Sequence, residues 1–263
     1  MKVAVLVYGA YREFDIAVKS WRFLNEFDCD VYMSTSNVSK LVDMKKISDS
    51  FSFENIKIVK SDDDYFEKDV NIVEMDVTEE MITKYIPNAK ITITNESDIE
   101  FDFKRKDYWV HNSNKMIFHW KKCLSMLLES NIKYDSIILT RADNYYSEYY
   151  DFKEFNGLKK ENTIYGLNYI HITGHDNYFL VDRFFYGNYK EMVKFIDSLP
   201  NQYDFNEQIH SILPKYILSL NYYVERIDNG FNTEVVRPNV RLLDENKINI
   251  DTIRECLWKW GKS

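Results

Sequence analysis

The chain opens with a short apolar run followed by a mixed segment whose apolar positions recur at helical spacing. The run from Val3 to Val7 is typical of a buried strand, and it stops at Gly9. An amphipathic helix is predicted next from the apolar residues Phe14, Ala17, Val18, Trp21 and Leu24. We therefore expect a strand, a tight turn and a helix, with Arg12 at the start of the helix.

A second strand is predicted by the segment CDVYMST, residues 29–35, which ends near Ser34 and Thr35. A strand, a helix and a second strand favour a right-handed βαβ crossover, in which the two strands are parallel. Their carboxyl ends then lie at one edge of the sheet, where ligands of open α/β sheets bind. This arrangement predicts that Gly9, Arg12, Ser34 and Thr35 are neighbours there.

The middle of the chain has a weaker pattern. Residues 55–60, NIKIVK, and residues 90–95, KITITN, predict strands, and residues 78–86, TEEMITKYI, predict a short helix. Two stretches, SDDDYF at 61–66 and NESDIEFDFKRKD at 95–107, are polar, as expected of surface loops that form a lid.

A long helix and a strand then carry the most informative motif, residues 140–143, TRAD. The helix is predicted from the apolar face Met116, Ile117, Trp120, Cys123, Leu124, Leu127 and Leu128. The strand YDSIILT, residues 134–140, follows directly and delivers Arg141 and Asp143 to its carboxyl end. If it is parallel to the first strand, both side chains face the same crevice as Gly9 and Arg12.

Composition narrows the class of protein. The 263 residues are 45% hydrophobic and 16% aromatic, without repeats or Pro/Gly-rich linkers, which favours a single α/β domain over residues 1–263. A net charge of −8 without a polybasic run argues against nucleic acid as a partner. The three cysteines form no CxxC pair, which indicates a reducing compartment. No apolar run is long enough for a membrane span, so we expect a cytoplasmic protein.

The carboxylate and guanidinium side chains predicted at this crevice are of the types that bind phosphate groups, with or without a metal ion. A carboxylate such as Asp143 can ligate Mg²⁺ or Mn²⁺ together with phosphate oxygens of a substrate. Arg12 or Arg141 can add bidentate contacts to the same phosphates. Only seven of 263 residues are glycine, so Gly9 at a strand end indicates a backbone requirement.

Four segments, taken in order, resemble small GT-A-type glycosyltransferases of viral and bacterial polysaccharide pathways. They are LVYGAYRE, residues 6–13; the stretch 114–143 that ends in TRAD; VDRFFYGNYKEMVKFI, residues 181–196; and NEQIHSILPKYI, residues 206–217. The resemblance implies a Rossmann-like GT-A fold with a mostly parallel sheet. It implies a nucleotide-sugar donor bound by residues 1–150 and a glycan or other hydroxyl acceptor bound by residues 151–263.

The resemblance assigns roles to particular residues. The donor would be held by Gly9, Tyr11, Arg12, Ser34, Thr35, Arg141 and Asp143. Asp182 and Glu207 would act on the transferred sugar or the acceptor as catalytic residues. His175, Asp176 and His210 are weaker candidates, because His and Asp in loops and on helix faces are commonly structural. Pro214 is expected to kink or end the late helix that Glu207 opens.

The family commonly has a DxD motif, whereas here Asp143 is followed by Asn144 and Tyr145. Two alternatives follow: Asp143 ligates Mn²⁺ or Mg²⁺ with help from a distant residue, or it binds the donor without a metal. Two other functions stay open, a sugar nucleotidyltransferase and a catalytically silent module that binds a glycan or a protein. Motifs for dinucleotide, P-loop, esterase and zinc-protease chemistry are missing from the sequence.

Overall fold

A computed structural model of the chain describes residues 1–42, 72–99, 108–148, 150–158, 160–169, 179–201, 209–227, 231, 233–236 and 245–254. Several predictions fall outside these residues: the strand 55–60, the polar stretch 61–66, most of the stretch 95–107, and the side chains of His175, Asp176 and Glu207.

The strands are β1 (Lys2–Tyr8), β2 (Asp28–Ser36), β3 (Val38–Val42), β4 (Ile72–Asp76), β5 (Lys90–Thr94), β6 (Ser136–Arg141), β7 (Asn144–Tyr146), β8 (Thr163–Tyr169), β9 (Phe179–Asn188), β10 (Tyr223–Arg226) and β11 (Thr233–Val235). The α-helices are α1 (Phe14–Ala17), α2 (Phe23–Glu26), α3 (Glu79–Thr83), α4 (Tyr108–Glu129), α5 (Tyr189–Ser198) and α6 (Ile209–Ser219). Short 3₁₀ helices cover Val18–Ser20, Glu96–Asp98, Phe152–Gly157 and Glu245–Lys247. Residues 250–254 form a last helical turn.

The described residues form a seven-stranded sheet in the order β5-β2-β1-β6-β9-β8-β10. β1, β2, β5 and β6 are mutually parallel, and β9 runs antiparallel to both β6 and β8. The protein is therefore α/β, with a mostly parallel central sheet flanked by helices, which is compatible with a Rossmann-like fold. The parallel pairings of β1 with β2 and with β6, and the strand over residues 90–94, confirm the sequence predictions.

Alternating residues of the central strands divide the core into two layers. Leu6 and Leu139 pack with α4, α5 and α6 on one face, whereas Val5 and Ile138 pack with α1, α2 and the 3₁₀ helix at Phe152–Gly157 on the other. The second layer is rich in aromatic rings. Two antiparallel pairs, β3 with β4 and β7 with β11, lie outside the main sheet. None of the described helices combines the length and apolar content needed to cross a bilayer.

The single helix predicted after Gly9 is wrong. The chain forms two four-residue helices, α1 and α2, separated by a 3₁₀ turn and by Trp21 at φ −82°, ψ 60°. Contacts with the β7 segment account for the break. The indole Nε1 of Trp21 donates to the carbonyl of Asn144 at 2.7 Å, and Ser20 Oγ accepts from the N–H of Tyr146 at 2.9 Å. Tertiary hydrogen bonds therefore override helical spacing.

The structure bears on two predictions for the helices, that Pro214 kinks or ends its helix and that Leu128 is buried. α6 does not end at Pro214 but continues to Ser219. Its buried residues Leu213 and Ile217 pack in the core, and this burial compensates for the hydrogen bond that proline cannot donate. Leu128, predicted on the buried face of α4, is 46% exposed because it lies at the margin of the apolar stripe.

Candidate functional site

The candidate site lies at the carboxyl ends of β1 and β6. These strands are in register, with Tyr8 opposite Arg141, and the N–H of Ala142 donates to the carbonyl of Tyr8 at 2.9 Å. From β1 the chain continues into β2 and β5 on one side, whereas β6 lies on the other side. This reversal of strand order is the topological switch point, where open α/β sheets bind their ligands.

Arg141 and Asp143 form a two-pronged ion pair at this edge. Arg141 Nε donates to Oδ1 of Asp143 at 2.8 Å, and Arg141 Nη2 donates to Oδ2 at 2.9 Å. The planar guanidinium matches the carboxylate in the bidentate geometry that gives strong, directional pairs. The Asp143 side chain is buried, and that of Arg141 is 24% exposed. Asp143 therefore fixes the direction of the Arg141 guanidinium.

Arg12 brings a second cation to the same carboxylate. Its Nη1 lies 3.8 Å from Asp143 Oδ2, and its side chain is 42% exposed. The backbone of Arg12 has a φ of 30°, unusual for a residue other than glycine, and its N–H donates to Ser39 Oγ at 2.9 Å. The loop after β1 is thus held in a constrained conformation that directs a solvent-accessible guanidinium toward the crevice.

Asp182 extends the chain of charges along β9. Its Oδ2 lies 3.5 Å from Arg141 Nη1, and its Oδ1 lies 3.9 Å from Nδ1 of His210 on α6. The hydroxyl of Tyr8 donates to the main-chain carbonyl of Asp182. Because the β9 strand is antiparallel to β6, residues near its start reach the edge at which β6 ends. Charges of alternating sign therefore run from Arg12 through Asp143 and Arg141 to Asp182.

Burial and neighbouring charge act on this cluster in opposite directions. Burial alone would lower the pKa of Arg141, but the carboxylates of Asp143 and Asp182 outweigh it and raise the pKa well above its ordinary value. Burial, with the charge of Asp182 next in size, holds the pKa of Tyr8 well above 10.0. Arg141 is therefore a permanent cation and Tyr8 a neutral donor at physiological pH.

The other predicted donor residues differ in their surroundings, although Ser34 lies opposite Tyr8 in the β1–β2 register. Ser34 and Thr35 are fully buried at the end of β2, and Ser34 Oγ shares a 2.9 Å hydrogen bond with His119 Nδ1. Tyr11 is 5% exposed, and its ring packs against Phe14. Gly9 lies in the loop between β1 and Arg12. Glu207 falls outside the described residues.

Sequence reasoning did not include Tyr8 and Ser39 in the site, and it gave His210 only as a weaker candidate. Tyr8 is the last residue of β1, and its position at a strand end is a usable signal. Ser39 lies in a strand pair, β3 with β4, that sequence reasoning did not predict, so nothing in the pattern pointed to it. His210 shares a helix with Pro214, and its proximity to Asp182 follows only from how α6 packs on β9.

The donor set around Asp143 does not fit a divalent cation. Both carboxylate oxygens accept from Arg141, and a second guanidinium lies within 4 Å of one of them. A metal ion on either oxygen would lie close to these positive charges and would be repelled by them. Within the described part of the chain, no three His, Cys, Asp or Glu side chains are grouped closely enough to hold a metal ion.

Hydrogen bonds from the C-terminal part of the chain also hold the backbone at the site. The carbonyl of Asp143 accepts from the N–H of Val236 at 2.8 Å, next to the β7–β11 pair. In that pair the buried Glu234 bridges Arg183 Nη1 at 2.8 Å and Arg254 Nε at 3.3 Å. The C-terminal segment thus fixes the backbone on which Asp143 is held.

Replacing Gly9 with Ala is expected to lower the free energy of unfolding by about 1–2 kcal/mol. Gly9 has a φ of +100°, and an added Cβ would meet no atom within 4 Å, so backbone strain is the whole cost. Gly157→Ala is the matched control, because Gly157 is equally open without a positive φ. Denaturant unfolding of both variants tests this, and equal effects would contradict it.

The buried pair of Ser34 and His119 predicts a pH dependence of stability. Burial lowers the pKa of His119 from 6.5 to about 4, so the unfolded chain binds more protons between these values. The stabilisation is complete above about pH 6.5 and is lost as the pH falls toward 4; it amounts to about 2–3 kcal/mol.

Denaturant unfolding of the wild type and His119→Gln at neutral and acidic pH measures this contribution. The carboxylates titrate in both proteins, so the difference between them isolates the imidazole. We expect the advantage of the wild type over the variant to shrink on acidification. A difference that stays constant with pH would refute the assignment.

The sequence matches no protein-family model and no curated protein. Arg12, Arg141, Asp143 and Asp182 at the switch point are therefore the evidence on which a function can be proposed.

Proposed function

We propose that the protein is a glycosyltransferase with a GT-A-type fold, which moves a sugar from a nucleoside-diphosphate sugar to the hydroxyl of a glycan or another acceptor. The observation that carries the proposal is the meeting of Arg12, Arg141, Asp143 and Asp182 at the switch point between β1 and β6. Nucleotides bind at that position in other open α/β sheets, and two guanidiniums suit a diphosphate.

The proposed reaction uses these residues in distinct roles. The acceptor oxygen forms a bond to the anomeric carbon as the bond from that carbon to the diphosphate breaks. Arg12 and Arg141 hold the departing diphosphate and balance its negative charge. Asp182, whose side chain is 14% exposed, accepts a hydrogen bond from the sugar or takes the acceptor proton. Glu207 remains a second candidate for that proton from the sequence resemblance.

A thermal-shift screen of UDP-, GDP-, ADP- and CMP-sugars tests the proposal. A ligand at about 100 times its Kd stabilises the folded state by about 2.7 kcal/mol, which raises the midpoint of a chain of this size by about 5 °C. We expect one of the UDP-, GDP- or ADP-sugar families to produce this shift and CMP-sugars, which have a single phosphate, to produce none; incubation with acceptors should release the corresponding nucleoside diphosphate.

Other outcomes would replace the proposal. Release of pyrophosphate from a nucleoside triphosphate and a sugar phosphate would identify a nucleotidyltransferase. Saturable glycan binding without any nucleotide binding would identify a silent binding module on the same fold.

A further inference from the structure

We infer that the diphosphate of the donor is neutralised by Arg12 and Arg141 without a divalent cation, and that Asp143 is a positioning residue for Arg141. This inference rests on the proposed function, because it concerns how the same site holds its donor. It decides between the two alternatives that the incomplete DxD motif leaves open.

The Asp143 carboxylate is poorly placed to ligate a metal ion. Mg²⁺ ligates oxygen at about 2.0–2.1 Å in a near-ideal octahedron, so it needs carboxylate lone pairs directed at it. Asp143 directs both oxygens at Arg141, at 2.8 and 2.9 Å. A metal ion on either oxygen would lie beside this guanidinium and would be repelled by its positive charge. Asp143 therefore serves the arginine.

The second carboxylate of the cluster lies near Arg141 and His210. Asp182 Oδ2 lies 3.5 Å from Arg141 Nη1, and Asp182 Oδ1 lies 3.9 Å from His210 Nδ1. Both separations are longer than a strong hydrogen bond, so a phosphate oxygen can compete for the Nη1 donors of Arg141. Displacing this loose contact leaves the tight fork to Asp143 intact.

Arg12 and Arg141 together provide the positive charges that face a bound diphosphate. A diphosphate esterified at both ends, as in a nucleotide sugar, has about two negative charges near neutral pH, and two guanidiniums supply two positive charges, which Asp143 and Asp182 balance before a ligand binds. Arg12, at 42% exposure, is the accessible member of the pair, and Arg141 is the oriented one. Together they supply the directed cationic contacts that a metal ion supplies elsewhere.

Calorimetric titration with UDP, GDP and ADP tests the inference, with protein in EDTA compared with protein in excess Mn²⁺. We expect one diphosphate to bind with equal affinity, within about twofold, in both buffers. Electron paramagnetic resonance of Mn²⁺ with the protein alone gives an independent readout, and the free-ion signal is expected to persist.

Variants assign the charge to particular residues. Arg12→Gln is expected to weaken diphosphate binding about tenfold or more, because a charge-assisted contact is lost. Lys190→Gln is the matched control: this exposed cation follows β9 at the opposite edge of the sheet, and its loss should leave affinity unchanged. Asp143→Asn keeps one acceptor for Arg141, so we expect weaker binding that is still independent of Mn²⁺.

The outcomes separate the two proposals. Binding that requires Mn²⁺, or a Mn²⁺ response that Asp143→Asn abolishes, overturns the inference and leaves the glycosyltransferase proposal standing. Metal-free binding that Arg12→Gln does not weaken also overturns it. Failure of every diphosphate to bind in either buffer overturns both proposals.

Discussion

Replacing Arg141 with Gln is expected to lower kcat/KM for sugar transfer by about 10²- to 10³-fold, the usual effect of removing one donor that stabilises charge developing in a transition state. Arg141 Nη1 faces the crevice while Nε and Nη2 are held by Asp143, so the guanidinium is already oriented before a ligand arrives. Arg141→Lys keeps the charge but loses the fork, and we expect an intermediate loss.

The same substitution also costs stability. It removes the two-pronged partner of the buried Asp143 carboxylate, while Arg12 stays at 3.8 Å, and removal of one partner from a buried ion pair costs about 3 kcal/mol. Activity must therefore be measured per folded molecule, below the midpoint of thermal unfolding.

A matched control separates the loss of catalysis from the loss of stability. Arg183, 21% exposed, is a second partly buried arginine, and its partner Glu234 belongs to the C-terminal segment that supports the backbone of Asp143. It follows Asp182 on β9, so its side chain points to the opposite face of the sheet. Arg183→Gln is expected to lower stability and retain most transfer activity. Equal losses of activity in both variants would show that the effect at Arg141 is structural.

Replacing Trp120 with Ala is expected to lower the free energy of unfolding by about 4 kcal/mol. Trp120 on α4 is fully buried. The centroid of its ring lies 5.3 Å from the ring centroid of Tyr8, 5.4 Å from that of Phe185 and 6.0 Å from that of Phe195. Truncation leaves a cavity among these rings and removes the edge-to-face contacts. Because Tyr8 also donates to the carbonyl of Asp182, the cavity loosens the support beneath the site.

Denaturant unfolding measures this loss, with Leu128→Ala as a control on the same helix. Leu128 is 46% exposed, so its truncation should change stability by no more than about 0.5 kcal/mol. Trp120→Phe fills part of the space, and we expect a smaller loss than for Ala. A Trp120→Ala protein as stable as the Leu128→Ala protein would contradict the packing described above.

Much of the parallel half of the sheet is predictable from local pattern. The runs that became β1 and β6 are short, apolar and β-branched and are almost fully buried, whereas β2 is more polar and is buried from Val31 onward. Parallel pairing then follows from the helices between them. Gly9, Arg12, Arg141 and Asp143 could be placed at one edge for this reason alone.

The antiparallel strand β9 was not predictable in the same way. Its residues Phe184 and Phe185 are both buried because the sheet is covered on both faces, so the strand shows no simple alternation. Its insertion between β6 and β8 depends on long-range pairing. The contact between Asp182 and Arg141 follows from that insertion, and the resemblance had suggested only that Asp182 is functional.

The broken first helix shows the same limit. Spacing of apolar residues predicts which face is buried, and Phe14, Ala17 and Trp21 are indeed buried. Spacing carries no information about the hydrogen bonds that Ser20 and Trp21 make with β7, more than 120 residues away along the chain.

The sequence by itself determined the fold class, the parallel strands and the edge at which Arg12, Arg141 and Asp143 meet, because burial periodicity and chain connectivity are local properties. Tertiary structure decided which groups Asp143 contacts there. Its position two residues beyond Arg141 permits a metal ligand or an ion pair equally well, and only the folded geometry closes the two-pronged contact with Arg141. The direction of a side chain depends on every charge packed around it, and those charges come from the loop after β1, from the end of β6 and from β9.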